Sequence, residues 1–131
     1  MNSPNPLLDE QLAKLEPPYK SRGEAQIGRL LDRYGIPFFY EQPIIIMAPQ
    51  TKENQIWKPT FTLPHQGWTV IDYIDNPKEF VLEERLNVYN YNQLPAIVLR
   101  PTDLDKPNWQ VKLYHNIIAT QTKHFSLSDH L

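Results

Sequence analysis

Between Lys58 and Asp75 the chain reads KPTFTLPHQGWTVIDYID, two strand-like runs around a PHQG turn. Side chains alternate along a strand. Over residues 56–63 this sends Lys58, Thr60 and Thr62 one way and Trp57, Phe61 and Leu63 the other. Over residues 68–75, Trp68, Val70, Asp72 and Ile74 share a face. The turn length favours Thr62 opposite Val70, so Thr60 faces Asp72 and Lys58 faces Ile74. Opposed β-carbons sit about 5 Å apart. One polar face thus gathers an ammonium, a hydroxyl and a carboxylate, groups able to hold a hard cation or move a proton. The hairpin is either a working metal-dependent site or the shell of one. A carboxylate between Ile71 and Tyr73 in an apolar strand is uncommon, which favours function for Asp72 over a solvated edge position.

The elements around this hairpin are legible by pattern. SRGEAQIGRLLDRYG is a helix: Ser21 caps it, Glu24 completes a capping box, and Gly35 stops it. Ile27, Leu30, Leu31 and Tyr34 form its apolar face. IPFFYEQPIIIMA is β-rich and broken by Pro43, as in an edge or bulged strand. NPKEFVLEERLNVYNYN is a second helix, with Asn76 as N-cap, Pro77 at the first position and Glu79 in a capping box. PAIVLR is apolar throughout, the kind of strand buried mid-sheet. DKPNWQVKLYHNIIATQ is a third helix with Trp109, Leu113 and Ile117 on its core face and Val111 and Ile118 alongside. The order α-β-β-β-α-β-α predicts a small α/β domain, its hairpin antiparallel and its last strand parallel to a neighbour. Residues 1–20, ending in EPPYK, read as a leader, 21–122 as the domain, and 123–131 as a tail without a firm signal.

Bulk composition narrows the chemistry. A chain of 131 residues with 40% hydrophobic and 21% charged residues is a globular composition of single-domain size. There is no cysteine, which excludes disulfides and thiolate metal sites. His65, His115, His124 and His130 lack zinc-ligand spacing, and the four glycines form no phosphate loop. Without a membrane-length apolar stretch or a signal peptide, a cytoplasmic location is expected. Net charge is −2 with no Lys/Arg block, which argues mildly against strong independent DNA binding. A folded surface is still able to gather Arg22, Arg29, Arg33, Lys52 and Lys58 on one side.

SRGE opening a helix, YEQP on a strand, then KPTFTLP, a turn and VIDYID resemble the PD-(D/E)XK nucleases, the restriction-endonuclease-like superfamily. The resemblance runs from Ser21 to the third helix and implies an αβββαβ core, a mixed sheet flanked by helices. In that family an aspartate after a proline and a second carboxylate hold Mg²⁺. A lysine two residues on helps prepare the attacking water, and a glutamate on the first helix often assists. Pro59 matches the motif proline, Asp72 the second carboxylate and Glu24 the helical glutamate. Thr60 stands where the aspartate belongs and Ile74 where the lysine belongs. The resemblance therefore implies a nuclease-like, nucleic-acid-associated domain with a degraded active site.

Two alternatives remain open. A live Mg²⁺-dependent endonuclease would use Asp72 and Glu24 as metal ligands and Lys58, opposite Ile74, as a migrated lysine, with Thr60 beside them. Arg85 is a weaker substitute, since a guanidinium holds phosphate but does not shed its proton. Arg22, Arg29, Lys58 and Arg85 are the expected nucleic-acid contacts. The other alternative is a protein-interaction module, with a protein partner or a homodimer in place of DNA. Each residue has an ordinary reading too: Glu24 as a cap, Lys58 as an exposed or edge residue, Thr60 as a β former.

Overall fold

The computed structural model describes residues 17–75 and 79–129. Helix α1 spans Arg22–Arg33. Ser21 Oγ accepts from the Glu24 N–H at 3.2 Å. At the other end Ile36 N–H reaches the Leu31 carbonyl and Gly35 N–H the Asp32 carbonyl, with Gly35 at φ 67°. That is a Schellman ending, and it needs a residue at ease in the left-handed region. Ile27, Leu30 and Leu31 are buried as the spacing predicts, but Tyr34 is exposed at the cap and stacks on Tyr114 at 4.3 Å.

Pro43 divides the next β-rich stretch in two. Strand β1 (Phe39–Tyr40) and strand β2 (Ile44–Met47) enter different sheets. Strand β3 (Asn54–Trp57) pairs with β2 as a separate two-stranded unit. The run expected to be continuous over residues 56–63 is likewise broken. Strand β4 begins only at Phe61 and ends at Leu63, because Pro59 has no N–H to give a ladder. Among the described residues there are thus two more strands between α1 and the next helix than the predicted order has.

Strand β5 (Thr69–Tyr73) pairs antiparallel with β4, Thr62 lying opposite Val70 as the turn length requires. Helix α2 spans Glu79–Tyr91; its expected cap at Asn76 and Pro77 lies outside the described residues. Strand β6 (Ala96–Leu99) returns parallel to β5. The main sheet has the order β1-β4-β5-β6, so it is mixed, and β6 lies at its edge rather than in its middle. Its unbroken apolar run is explained by cover on both faces, from α2 and from helix α3 (Trp109–Asp129). A short 3₁₀ segment, Pro101–Asp105, joins β6 to α3.

The result is a mixed α/β architecture with helices on both sides of the sheet. Ile27, Leu31, Phe61, Leu63, Ile71 and Ile117 make the core between the sheet, α1 and α3. The β2–β3 unit packs instead on α2, where Asn92 exchanges hydrogen bonds with the Met47 backbone at 2.8 and 3.0 Å. Its outer face leaves the cross-strand pair Ile45 and Ile56 in solvent. On α3, Leu113 and Ile117 are buried, while Val111 and Ile118 are exposed rather than part of the core face. The ordered fold begins before Ser21, since the Tyr19 ring packs edge-on to Tyr40 at 5.0 Å and meets Phe61. Gly28 makes this possible: a Cβ there would stand 2.1 Å from the Tyr19 hydroxyl. Helix α3 continues through much of the expected tail, to Asp129. No helix among the described residues is long and apolar enough to cross a membrane.

Candidate functional site

The break at Pro59 shapes the site. Thr60 lies just ahead of β4, and its carbonyl accepts from Glu41 N–H at 3.0 Å. Its own N–H turns toward β5 and donates to Asp72 Oδ1 at 3.1 Å. The Thr60 hydroxyl donates to the same oxygen at 3.3 Å and accepts from the Tyr73 N–H at 3.0 Å. Thr60 and Asp72 therefore meet on one face of the sheet, as the hairpin register demands.

That face is covered by α2. Arg85 Nη1 lies 3.1 Å from Asp72 Oδ2, and the Tyr89 hydroxyl donates to the same oxygen at 2.6 Å. The spacing i, i+4 puts both side chains on one side of α2. Trp57 completes the enclosure: the Arg85 guanidinium stacks over its ring at 4.6 Å, and its edge meets Tyr89 at 5.4 Å. Strand alternation predicts Trp57 on the same face as Phe61 and Leu63; the break at Pro59 between β3 and β4 puts it on the Asp72 side.

Asp72 is 5% exposed, so its charge is sustained by what surrounds it. An ionised carboxylate has about four acceptor positions. Here they receive the Thr60 N–H, the Thr60 hydroxyl, the Arg85 guanidinium and the Tyr89 phenol. Burial, then the Asp72 charge and hydrogen bond, push the Tyr89 phenol far above its ordinary range. Tyr89 is thus locked as a donor. A cation seeking these oxygens would have to displace Arg85 and Tyr89 first.

Glu24 belongs to a different cluster. Its carboxylate accepts from the Tyr40 hydroxyl and from the Lys20 N–H, the latter at 3.1 Å. It does not close the reciprocal capping box onto Ser21; the Lys20 N–H and the Tyr40 hydroxyl take its carboxylate instead. Burial and the Glu24 hydrogen bond push the Tyr40 phenol well up. Lys20 Nζ pairs with Glu41 Oε2 at 2.8 Å, at the rim of this cluster. The two clusters occupy opposite faces. Tyr73 lies against Gly23 of α1, where a Cβ would come within 2.3 Å of its ring. Its neighbour Asp72 therefore points away from α1, toward α2.

Lys58 is exposed and precedes the β4–β5 ladder, which ends at the pair Phe61 and Ile71. The expected pairing of Lys58 with Ile74 is not formed, because β4 starts only at Phe61, beyond Pro59. Arg22 and Arg29 lie exposed on α1, away from Asp72. The structure thus joins Thr60, Asp72 and Arg85, and leaves Glu24, Lys58, Arg22 and Arg29 elsewhere. Tyr89 and Trp57 are the members that sequence reasoning did not assign. A tyrosine one turn beyond Arg85 was the available signal, since a buried phenol needs a partner. No family model, curated protein or solved structure matches the chain.

Proposed function

We propose that this chain is a nuclease-like, nucleic-acid-associated domain whose hydrolytic centre has been replaced by an internal ion pair. The order helix, hairpin, helix, parallel strand supports a restriction-endonuclease-like core carrying an inserted β2–β3 unit. The observation that carries the reading is the filling of the Asp72 carboxylate by four protein donors. In a metal-dependent nuclease those oxygens face a cation that prepares water and steadies phosphate charge. Here a guanidinium takes that electrostatic place. It neutralises the carboxylate but supplies no acidic water and no exchangeable coordination position. Glu24 and Lys58 do not compensate, being held or exposed elsewhere.

The test restores what is missing. The parent protein, incubated with supercoiled DNA and Mg²⁺ or Mn²⁺, is expected to leave it intact. A Thr60→Asp/Ile74→Lys/Arg85→Ala variant is expected to gain metal-dependent nicking at least about a hundredfold above the parent, the scale of one well-placed electrostatic group. Nicking by the parent that Asp72→Ala removes would mean the centre is live. A folded variant that stays inert would withdraw the nuclease derivation.

A further inference from the structure

Helix α1 carries a second pattern, unrelated to Glu24 or to the core. Arg22, Gln26, Arg29 and Arg33 recur at i, i+4, i+7 and i+11. At 100° per residue these positions fall on one narrow stripe, about 16 Å long. The three arginines are exposed, and none has a carboxylate within ion-pair distance among the described residues. Asp32, three residues beyond Arg29 and next to Arg33, borders the stripe but forms no ion pair with either. Opposite charges at i, i+4 would add small pairing energies; the stripe has no acidic residue at that spacing from any of its arginines.

The stripe borders a concavity. Gln26, Arg29, Leu30, Arg33, Trp109 and Gln110 line a groove of about 150 Å³ between α1 and the start of α3. Its lining holds two guanidiniums, two amides and an indole, and no carboxylate. Next to Arg33 in the chain, the exposed Tyr34 ring stacks on Tyr114. Cations that track a backbone, interleaved with rings that accept bases, are what an unpaired strand requires. A duplex keeps its base faces inside the stack and would use only the arginines.

We infer that the α1–α3 groove binds single-stranded DNA, with Arg29 and Arg33 on neighbouring phosphates, Arg22 on one further along the strand, and Trp109 against a base. The inference rests on the nucleic-acid association proposed above and puts the contact on the opposite side of the sheet from Asp72. It also explains how a protein of net charge −2 holds a polyanion: the interaction is local and small.

Fluorescence anisotropy with a labelled 15-nucleotide mixed-sequence DNA strand, titrated with the intact chain at several salt concentrations, tests it. Three phosphate contacts on a single strand predict a slope of log K against log salt of about −2. Each of Arg22→Gln, Arg29→Gln and Arg33→Gln is expected to lower that slope by about 0.7. The triple variant should lose binding while unfolding at the parent temperature, since these side chains are exposed. Trp109→Phe should weaken binding and remove the quenching of tryptophan emission by DNA, leaving the salt slope in place.

Binding that survives the triple variant but falls with Lys58→Gln or Arg85→Gln would overturn this surface while keeping the nucleic-acid reading. Equal or tighter binding of the duplex, or of an RNA of the same sequence, would overturn the single-stranded DNA assignment. Absence of binding by the parent at low salt would end both the groove and the association. The restored-nicking experiment tests the nuclease derivation independently, so loss of the groove alone leaves that derivation standing.

Discussion

Asp72 reaches an interior position that a lone carboxylate does not tolerate, because stripping water from a charge costs several kcal/mol. Four donors offset that cost, and they do not contribute equally. Arg85 is over a third exposed, so water screens its half of the pair. Tyr89 is fully buried and has Asp72 as its hydroxyl's partner. Tyr89→Phe is expected to cost about 1.5–3 kcal/mol, the range for a hydrogen bond to a charged group. Asp72→Asn should cost at least as much, because an amide presents donors where Arg85 and Tyr89 already donate. Urea unfolding checks both, as a lowered midpoint at constant slope. A loss below about 0.5 kcal/mol for either would mean that the network is not a stabilising unit.

At the scale of elements, α1 is held to the sheet through places where it has no side chain. Gly23 and Gly28 are buried, one under Tyr73 and the other under Tyr19. Glycine in a helix is unfavourable by about 1 kcal/mol relative to alanine. Gly28→Ala would ordinarily stabilise, but here the new methyl meets the Tyr19 ring, which must swing out of its contacts with Tyr40 and Phe61. The expected net result is a destabilisation of about 1–3 kcal/mol, the usual range for overpacking. Thermal melting of Gly28→Ala beside Tyr19→Ala/Gly28→Ala decides the point. If overpacking is the cause, the single variant is destabilised and the loss is not additive in the double variant. A Gly28→Ala protein more stable than the parent would remove the proposed close approach.

At the scale of the molecule, two phenols on opposite faces of the sheet both resist ionisation, Tyr40 beside Glu24 and Tyr89 beside Asp72. In the unfolded chain a tyrosine titrates near pH 10. Because the folded state raises both values, their contribution is fully present below about pH 10. It is lost as pH climbs from there toward the folded-state values. Stability should therefore hold from neutral pH to about 9.5 and then fall, these two phenols adding up to two protons to a slope that Tyr73 and Lys20, also raised by folding, steepen further. A Tyr40→Phe/Tyr89→Phe variant should be less stable at neutral pH but flatter above pH 10. Denaturant midpoints across that range provide the measurement, and parallel curves for parent and variant would contradict it.

How much of this was legible follows from the range of each interaction. Helix α1, its serine cap and its glycine stop are decided within one or two turns by backbone sterics and donor supply. The pairing of Thr62 with Val70 follows from a short turn, and a parallel β6 follows from the intervening helix. The position of Trp57 was not legible, because it depends on which way the chain leaves Pro59. Nor were the partners of Asp72, since Arg85 and Tyr89 lie 13 and 17 residues away on a helix whose docking selects them. Glu24 is the clearest case. Its residue type suits either a metal or a cap, and only packing of α1 beside Tyr40 settled which donors it meets. The amino-acid order by itself determined the local elements and the register of the hairpin, because those rest on short-range geometry. The tertiary structure decided which charges meet, because burial and the docking of α2 set that energy and neither is written in any local window.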